Sequence, residues 1–142
     1  MDIAQLTSAD EKACAEISAL LAQLGGGKTC SLEHLRKVVQ NPNSEIWVVK
    51  EGEKIIGMAT SALIVKPGGI TVQLEDVVVD EAARGKGLGR RLCEKAIERA
   101  KANGARSIHL TSRPEREAAN KLYQKLGFKQ KETNVYKLEL QP

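Results

Sequence analysis

Residues 84–89 read Arg-Gly-Lys-Gly-Leu-Gly, three glycines at alternate positions between the run Val77-Val78-Val79 and an amphipathic stretch. The valines demand a strand. Leu88, Leu92, Ala96, Ile97 and Ala100 recur at helical spacing and predict a helix that covers a sheet, closed by Asn103-Gly104. Glycines at alternate positions let the backbone between strand and helix take positive φ and turn its amides to one side. The helix start adds unpaired N–H donors and the positive end of its dipole. Arg84, Lys86, Arg90 and Arg91 surround the turn with positive charge, so the expected ligand is an anion, a pyrophosphate best of all.

The flanking chain limits the fold further. Residues 46–49, 57–65 and 70–79 read as strands separated by Glu51-Gly52-Glu53 and Pro67-Gly68-Gly69, an antiparallel meander. In the third, Ile70, Val72 and Leu74 hold one parity while Val77 and Val79 hold the other, with Glu75-Asp76 at the break. That phase slip predicts a β-bulge, which re-aims a side chain and frees backbone groups for a ligand. Earlier, Ser8-Ala9-Asp10-Glu11 has capping-box spacing ahead of Ala13, Cys14, Ile17, Leu20, Leu21 and Leu24, a helix stopped by Gly25-Gly26-Gly27. Ser31 is expected to cap a second helix carrying Leu32, Leu35 and Val38 and ended by Asn41-Pro42-Asn43. After the turn helix, residues 107–110 read as a strand that completes a crossover unit. Ser112-Arg113-Pro114-Glu115 is a second capping box, for a helix bearing Ala118, Ala119, Leu122, Tyr123 and Leu126 and stopped by Gly127. Residues 135–140 alternate and predict a last strand. With 142 residues, one domain over 1–142 is expected.

Composition excludes several classes. Hydrophobic residues make up 42% and charged ones 28%, the balance of an ordinary globular chain. No apolar run approaches a membrane span and no signal peptide is recognisable, so no membrane partner and a cytoplasmic location are expected. Cys14, Cys30 and Cys93 fit neither a disulfide framework nor a zinc site, and reduced thiols are expected. His34 and His109 lack partner patterns, and no metal is expected. A net charge of +4 would suit nucleic acid, but the basic residues are interleaved with acids and 3% aromatics provide no stacking platform. No nucleic acid is expected as partner. A P-loop would need Lys then Ser or Thr after its last glycine, where Arg90 and Arg91 stand, and a dinucleotide turn would need a glycine in place of Arg90.

Arg84, Gly87 and Gly89 do fill the Arg/Gln-x-x-Gly-x-Gly/Ala acyl-CoA turn of the GNAT N-acetyltransferases, and 122–128, Leu-Tyr-Gln-Lys-Leu-Gly-Phe, resembles that family's second signature. The resemblance runs from about residue 45 to residue 128. It implies an α+β fold in α/β/α layers, with a mixed, mostly antiparallel sheet of six to seven strands and about four helices. It also implies acetyl-CoA as co-substrate, held by Val77, Val78, Val79, Arg84, Gly85, Lys86, Gly87, Leu88, Gly89, Arg90, Arg116 and Asn120. One departure is Arg116, seven residues before Tyr123, where the family often has Asn; the usual amide contact to pantetheine is then in question.

Acetyl transfer from a thioester to an amine needs a base for the ammonium, donors for the oxyanion and an acid for the thiolate. Tyr123, with a reference pKa of ~10, is the candidate acid, against a plain core role on its helix. Glu75 is the candidate base, directly or through a water, with Asp76 the alternative if the bulge re-aims it, and ion pairing the other use of either carboxylate. The amide of Val77 suits the thioester oxygen, and the backbone of Val79 suits pantetheine lying alongside like an added strand. Trp47 and Tyr136 are core residues or cleft lining, the core preferred for Trp47. The acceptor is a small-molecule amine or a protein or peptide amine, chosen by the first two helices, the 25–29 loop and residues 131–136. A non-catalytic CoA-binding regulatory module is the alternative. The resemblance allows a homodimer, for which the sequence offers no interface patch.

Overall fold

The computed structural model describes residues 1–141. They divide into two compact units, residues 1–111 and residues 112–141. The first is built on one sheet of five strands in sequence order: β1 (Ile3–Gln5), β2 (Ser44–Glu51), β3 (Lys54–Lys66), β4 (Gly69–Val79) and β5 (Ile108–His109). The first four run antiparallel, as the meander requires. β5 is parallel to β4, at Val72 and Gln73 alone, because α3 (Leu88–Ala102) carries the chain across the sheet before it returns.

Alternation along β2 sorts the two faces. Ile46 and Val48 pack with Met58 and Val78 against Ala13, Ile17, Leu20 and Leu21 of α1 (Glu11–Leu24) and Leu35 of α2 (Leu32–Gln40). Trp47 and Val49 point the other way, toward α3. Gly57 shows how close that packing is: a Cβ there would stand 2.8 Å from Val49 Cγ1 and 3.4 Å from Leu92 Cδ1. Fully buried aliphatics such as Leu35 and Leu92 contribute roughly 1.5–3 kcal/mol each. Across the same face, Arg99 Nη2 donates to Glu45 Oε2 at 2.9 Å, and Lys95 Nζ and Arg99 Cζ lie 5.7 and 5.8 Å from the Trp47 ring centroid. Trp47 is thus a core residue, roofed by cations.

Both expected capping boxes are displaced. α1 is capped by Asp10, whose carboxylate accepts from Ala13 N at 2.7 Å, rather than by Ser8; a charged acceptor at the N-cap also meets the helix dipole. Ser31 does cap α2, accepting from His34 N at 3.1 Å. In the second unit, α4 (Glu117–Lys125) begins after Arg116 instead of at Ser112, because residues 113–116 close a turn of their own, Arg116 N donating to Arg113 O at 3.1 Å.

The expected strand at 135–140 is absent among the described residues, so the sheet has five strands rather than six or seven. Its alternation is present, but Val135, Tyr136, Leu138 and Leu140 are 76–87% exposed. Alternating side chains permit a strand; a ladder of backbone partners makes one, and this segment has none.

Candidate functional site

The predicted bulge lies in β4. Met58 pairs with Val78 and Thr60 with Glu75, so Asp76 and Val77 together oppose the single residue Ala59. Asp76 takes φ +51°, the one non-glycine positive φ among the described residues. Such a backbone costs energy and persists only where its surroundings impose it. The slip keeps Val72, Leu74 and Val79 on the α3 face and brings Glu75, through its pairing with Thr60, onto the α1/α2 face with Met58 and Val78. Glu75 is exposed and accepts from Gln73 Nε2 at 3.3 Å. Because β5 pairs only as far as Gln73, residues 74–79 have no β5 partner on that edge. The Val78 side chain is in the core, which leaves residues 77–79 only their main chain, and the partly buried side chains of Val77 and Val79, to offer a ligand.

Beyond β4 the chain makes one 3-10 turn, Glu81–Ala83, capped by Asp80, and then enters the glycine turn. Gly85 and Gly87 take φ +83° and +77°, with open space where a Cβ would stand. Gly87 is the N-cap of α3, no side chain caps it, and the first turn of α3 holds no acidic residue. Arg91 N donates to Gly87 O at 3.1 Å, so the helical ladder starts there and the amides of Leu88, Gly89 and Arg90 precede it. Leu88 is buried as a side chain and offers only its amide. Lys86 and Arg91 are exposed. Arg90 Nε lies 3.6 Å from Glu94. Arg84 turns back, its Nε donating to Val79 O at 3.0 Å, which joins the turn to the strand end. An uncapped helix start, two left-handed glycines and exposed cations fit a diphosphate.

Sequence reasoning missed Gln23 and Asp80. From the last turn of α1, Gln23 Nε2 donates to Asp80 Oδ1 at 3.2 Å while its Oε1 accepts from Glu81 N at 2.9 Å. Lys54 Nζ stands 3.9 Å from the other Asp80 oxygen. The Gln23 amide first, then the Ala82 N–H, hold the Asp80 carboxyl below its usual value. Asp80 was readable as an N-cap ahead of Glu81-Ala82-Ala83; Gln23 carries no local signal, since its partners are 57 and 58 residues away.

The remaining predicted residues lie in the second unit. Asn120 Nδ2 donates to Arg113 O at 3.0 Å, and Arg116 is the N-cap of α4 without a side-chain cap bond. Tyr123 stacks edge-on against Phe128, centroids 5.9 Å apart, where Gly127 at φ +101° ends the helix. In the first unit, Cys93 is buried and its thiol is pushed up to about 11 by that burial. His109 shares a hydrogen bond with Ser107 and His34 sits in the first turn of α2. No group of three or more His, Cys, Asp or Glu residues able to hold a metal occurs among the described residues, and no described helix is long and apolar enough to cross a membrane. A surface cavity of about 360 Å³ lies beside β1, lined in part by Asp2, Gln5, Thr7 and Lys50, and none of the predicted site residues borders it.

A sequence profile described as the acetyltransferase (GNAT) family matches residues 13–128. The chain is 33% identical over 134 residues to "Probable glucosamine 6-phosphate N-acetyltransferase 2" of Oryza sativa subsp. japonica, covering 91% of this chain and 72% of that one. It is 26% identical over 126 residues to N-alpha-acetyltransferase RimI of Mycobacterium tuberculosis, covering 89% and 77%. The crystal structure of glucosamine-6-phosphate N-acetyltransferase from Arabidopsis thaliana matches with a TM-score of 0.80 at 25% identity, over 96% of this chain and 97% of that one.

Proposed function

Since the chain belongs to the GNAT acetyltransferase family and is thereby an N-acyltransferase, we propose that it moves an acetyl group from acetyl-CoA to a primary amine by direct attack in a ternary complex. The observation that carries the reading is the pair of left-handed glycines opening the uncapped α3 one 3-10 turn after the bulged end of β4.

The amides of residues 85–90, with Arg84, Lys86 and Arg90, hold the diphosphate of the co-substrate. The main chain of 77–79, which β5 leaves unpaired, runs beside the pantetheine, and the Val77 amide donates to the thioester oxygen. Glu75 takes the proton of the incoming ammonium, directly or through a water; Asp76, its strained neighbour, is the alternative base. Tyr123 returns a proton to the departing sulfur, a role that rests on the family's spacing of 122–128. Arg116 and Asn120 are assigned to the co-substrate on the same spacing. The profile spans parts of both compact units, which supports reading 1–142 as a single transferase domain.

The relatives' names cover glucosamine 6-phosphate and an N-alpha amine. The test is therefore a panel of both, glucosamine 6-phosphate and other small amines beside peptides with free N-termini and lysines, followed by thiol release from acetyl-CoA. Acetylation of one acceptor class is expected, with kcat reduced about 100-fold or more by Tyr123→Phe. Acetylation unaffected by Tyr123→Phe removes the proposed acid. Thermal stabilisation by acetyl-CoA with no amine ever acetylated would point to a CoA-binding module instead.

A further inference from the structure

The backbone of Cys30, at the entry to α2, is pinned to the face of α1 that carries Cys14 and Ser18. Cys14 Sγ donates to Cys30 O at 3.0 Å, Ser18 Oγ donates to the same oxygen at 3.1 Å, and Cys30 N donates to Ser18 Oγ at 3.2 Å. All three cysteines are free thiols; Cys14 and Cys30 are partly exposed, whereas Cys93 is buried. Between the two partly exposed thiols lies the 25–27 loop, with glycines at φ +92°, +88° and +68°.

We propose that Cys14 and Cys30 are a modification site: a neighbouring thiol pair that a small-molecule disulfide such as oxidised glutathione converts into an intramolecular Cys14–Cys30 bond. One protein thiolate attacks the small disulfide, forming a mixed disulfide and releasing one small thiolate. The second protein thiol, deprotonated to solvent, attacks the protein sulfur of that mixed disulfide and releases the other. Two protein thiols are oxidised, one small disulfide is reduced to two thiols, and the protons lost by the protein end on those products. Cys14 Sγ rests against the Cys30 carbonyl and Cys30 Sγ donates to Ser31 O at 3.5 Å, so the bond forms when both side chains turn from these carbonyls toward each other. Burial raises the Cys30 thiol, and the adjacent Cys14 thiol raises it further, so Cys30 rests as a thiol until an oxidant arrives. The product closes a ring over residues 14–30 and ties the glycine loop to α1.

The experiment stands apart from acetyl transfer. The intact protein is equilibrated with oxidised glutathione, free thiols are counted after denaturation, and cross-linked peptides are mapped by mass spectrometry. The expected result is loss of two of the three thiols, a Cys14–Cys30 peptide, and a Tm raised by about 5 °C or more that dithiothreitol reverses. Cys14→Ser should take up one glutathione at most and show no Tm rise. Three thiols remaining in the wild type, or glutathione adducts with no Cys14–Cys30 peptide, would overturn the proposal, as would a cross-link involving Cys93.

Discussion

Replacing Gly87 by alanine separates the cost of bending the chain from the cost of losing the anion. The residue sits at φ +77° with nothing within 4 Å of the place a Cβ would occupy, so Ala meets no clash and pays only for the left-handed backbone. That strain is about 1–2 kcal/mol, offset by roughly 0.4–1 kcal/mol from the stiffer unfolded chain. A net loss of about 1 kcal/mol lowers Tm by about 3–5 °C. Gly104, past the other end of α3, has φ +74° and the same open space, so Gly104→Ala carries a matching cost and serves as control. The two differ in acetyl-CoA binding. At a ligand concentration about 100 times Kd, the wild type gains about 2.7 kcal/mol. Backbone relaxation at residue 87 withdraws at least one charge-assisted hydrogen bond of about 1.5 kcal/mol from the diphosphate, a roughly tenfold weaker Kd. The same ligand concentration then stabilises Gly87→Ala by only about 1.4 kcal/mol. Thermal unfolding with and without acetyl-CoA reads this directly: Gly87→Ala keeps about half of the ligand-induced shift and Gly104→Ala keeps all of it. If Gly87→Ala loses stability yet retains the full shift, the glycine turn does not hold the co-substrate.

Gly57→Ala should cost about 1–3 kcal/mol, because the new Cβ meets the fully buried Val49 at 2.8 Å; a denaturant midpoint unchanged from wild type would contradict the packing described for that face. Arg99→Ala leaves the buried Glu45 carboxylate without its cation and uncovers the Trp47 ring; since Arg99 is itself partly exposed, a loss of about 1–2 kcal/mol is expected, together with a change in tryptophan fluorescence. Asp80 has its folded pKa lowered below the usual 3.8 by the Gln23 amide and the Ala82 N–H. Its contribution to stability is therefore complete above that value and disappears as pH falls through the lower folded pKa, so Asp80→Asn should flatten the stability curve below pH ~4 and leave its slope near neutrality alone, as acid unfolding followed by circular dichroism would show.

The parts of the fold that sequence exposes are those set by local rules. Parity along residues 70–79 requires a break at Glu75-Asp76, and the structure answers with a bulge and a left-handed Asp76. The glycine turn was legible because only glycine takes such φ cheaply, and Gly85 and Gly87 do. Where two local solutions compete, reading fails. Both Ser8 and Asp10 can cap a helix, and it is Asp10 whose carboxylate accepts from Ala13 N; Ser112 could start α4, but residues 113–116 close a turn instead. Residues 135–140 carry a strand's alternation without a ladder, and no property of a single segment reports whether a partner edge exists. The Gln23–Asp80 link was invisible for the same reason, being formed across more than fifty intervening residues.

The central claim, that main-chain nitrogens between residues 84 and 90 grip the diphosphate of the co-substrate, is tested most directly by amide chemical shifts in a ¹⁵N-labelled sample titrated with coenzyme A and, separately, with pantetheine. Coenzyme A should move the amides of Gly85, Gly87, Leu88, Gly89 and Arg90 in a saturable way, while pantetheine, lacking the diphosphate, should leave them in place. Saturation by coenzyme A with those five amides unmoved would contradict the account.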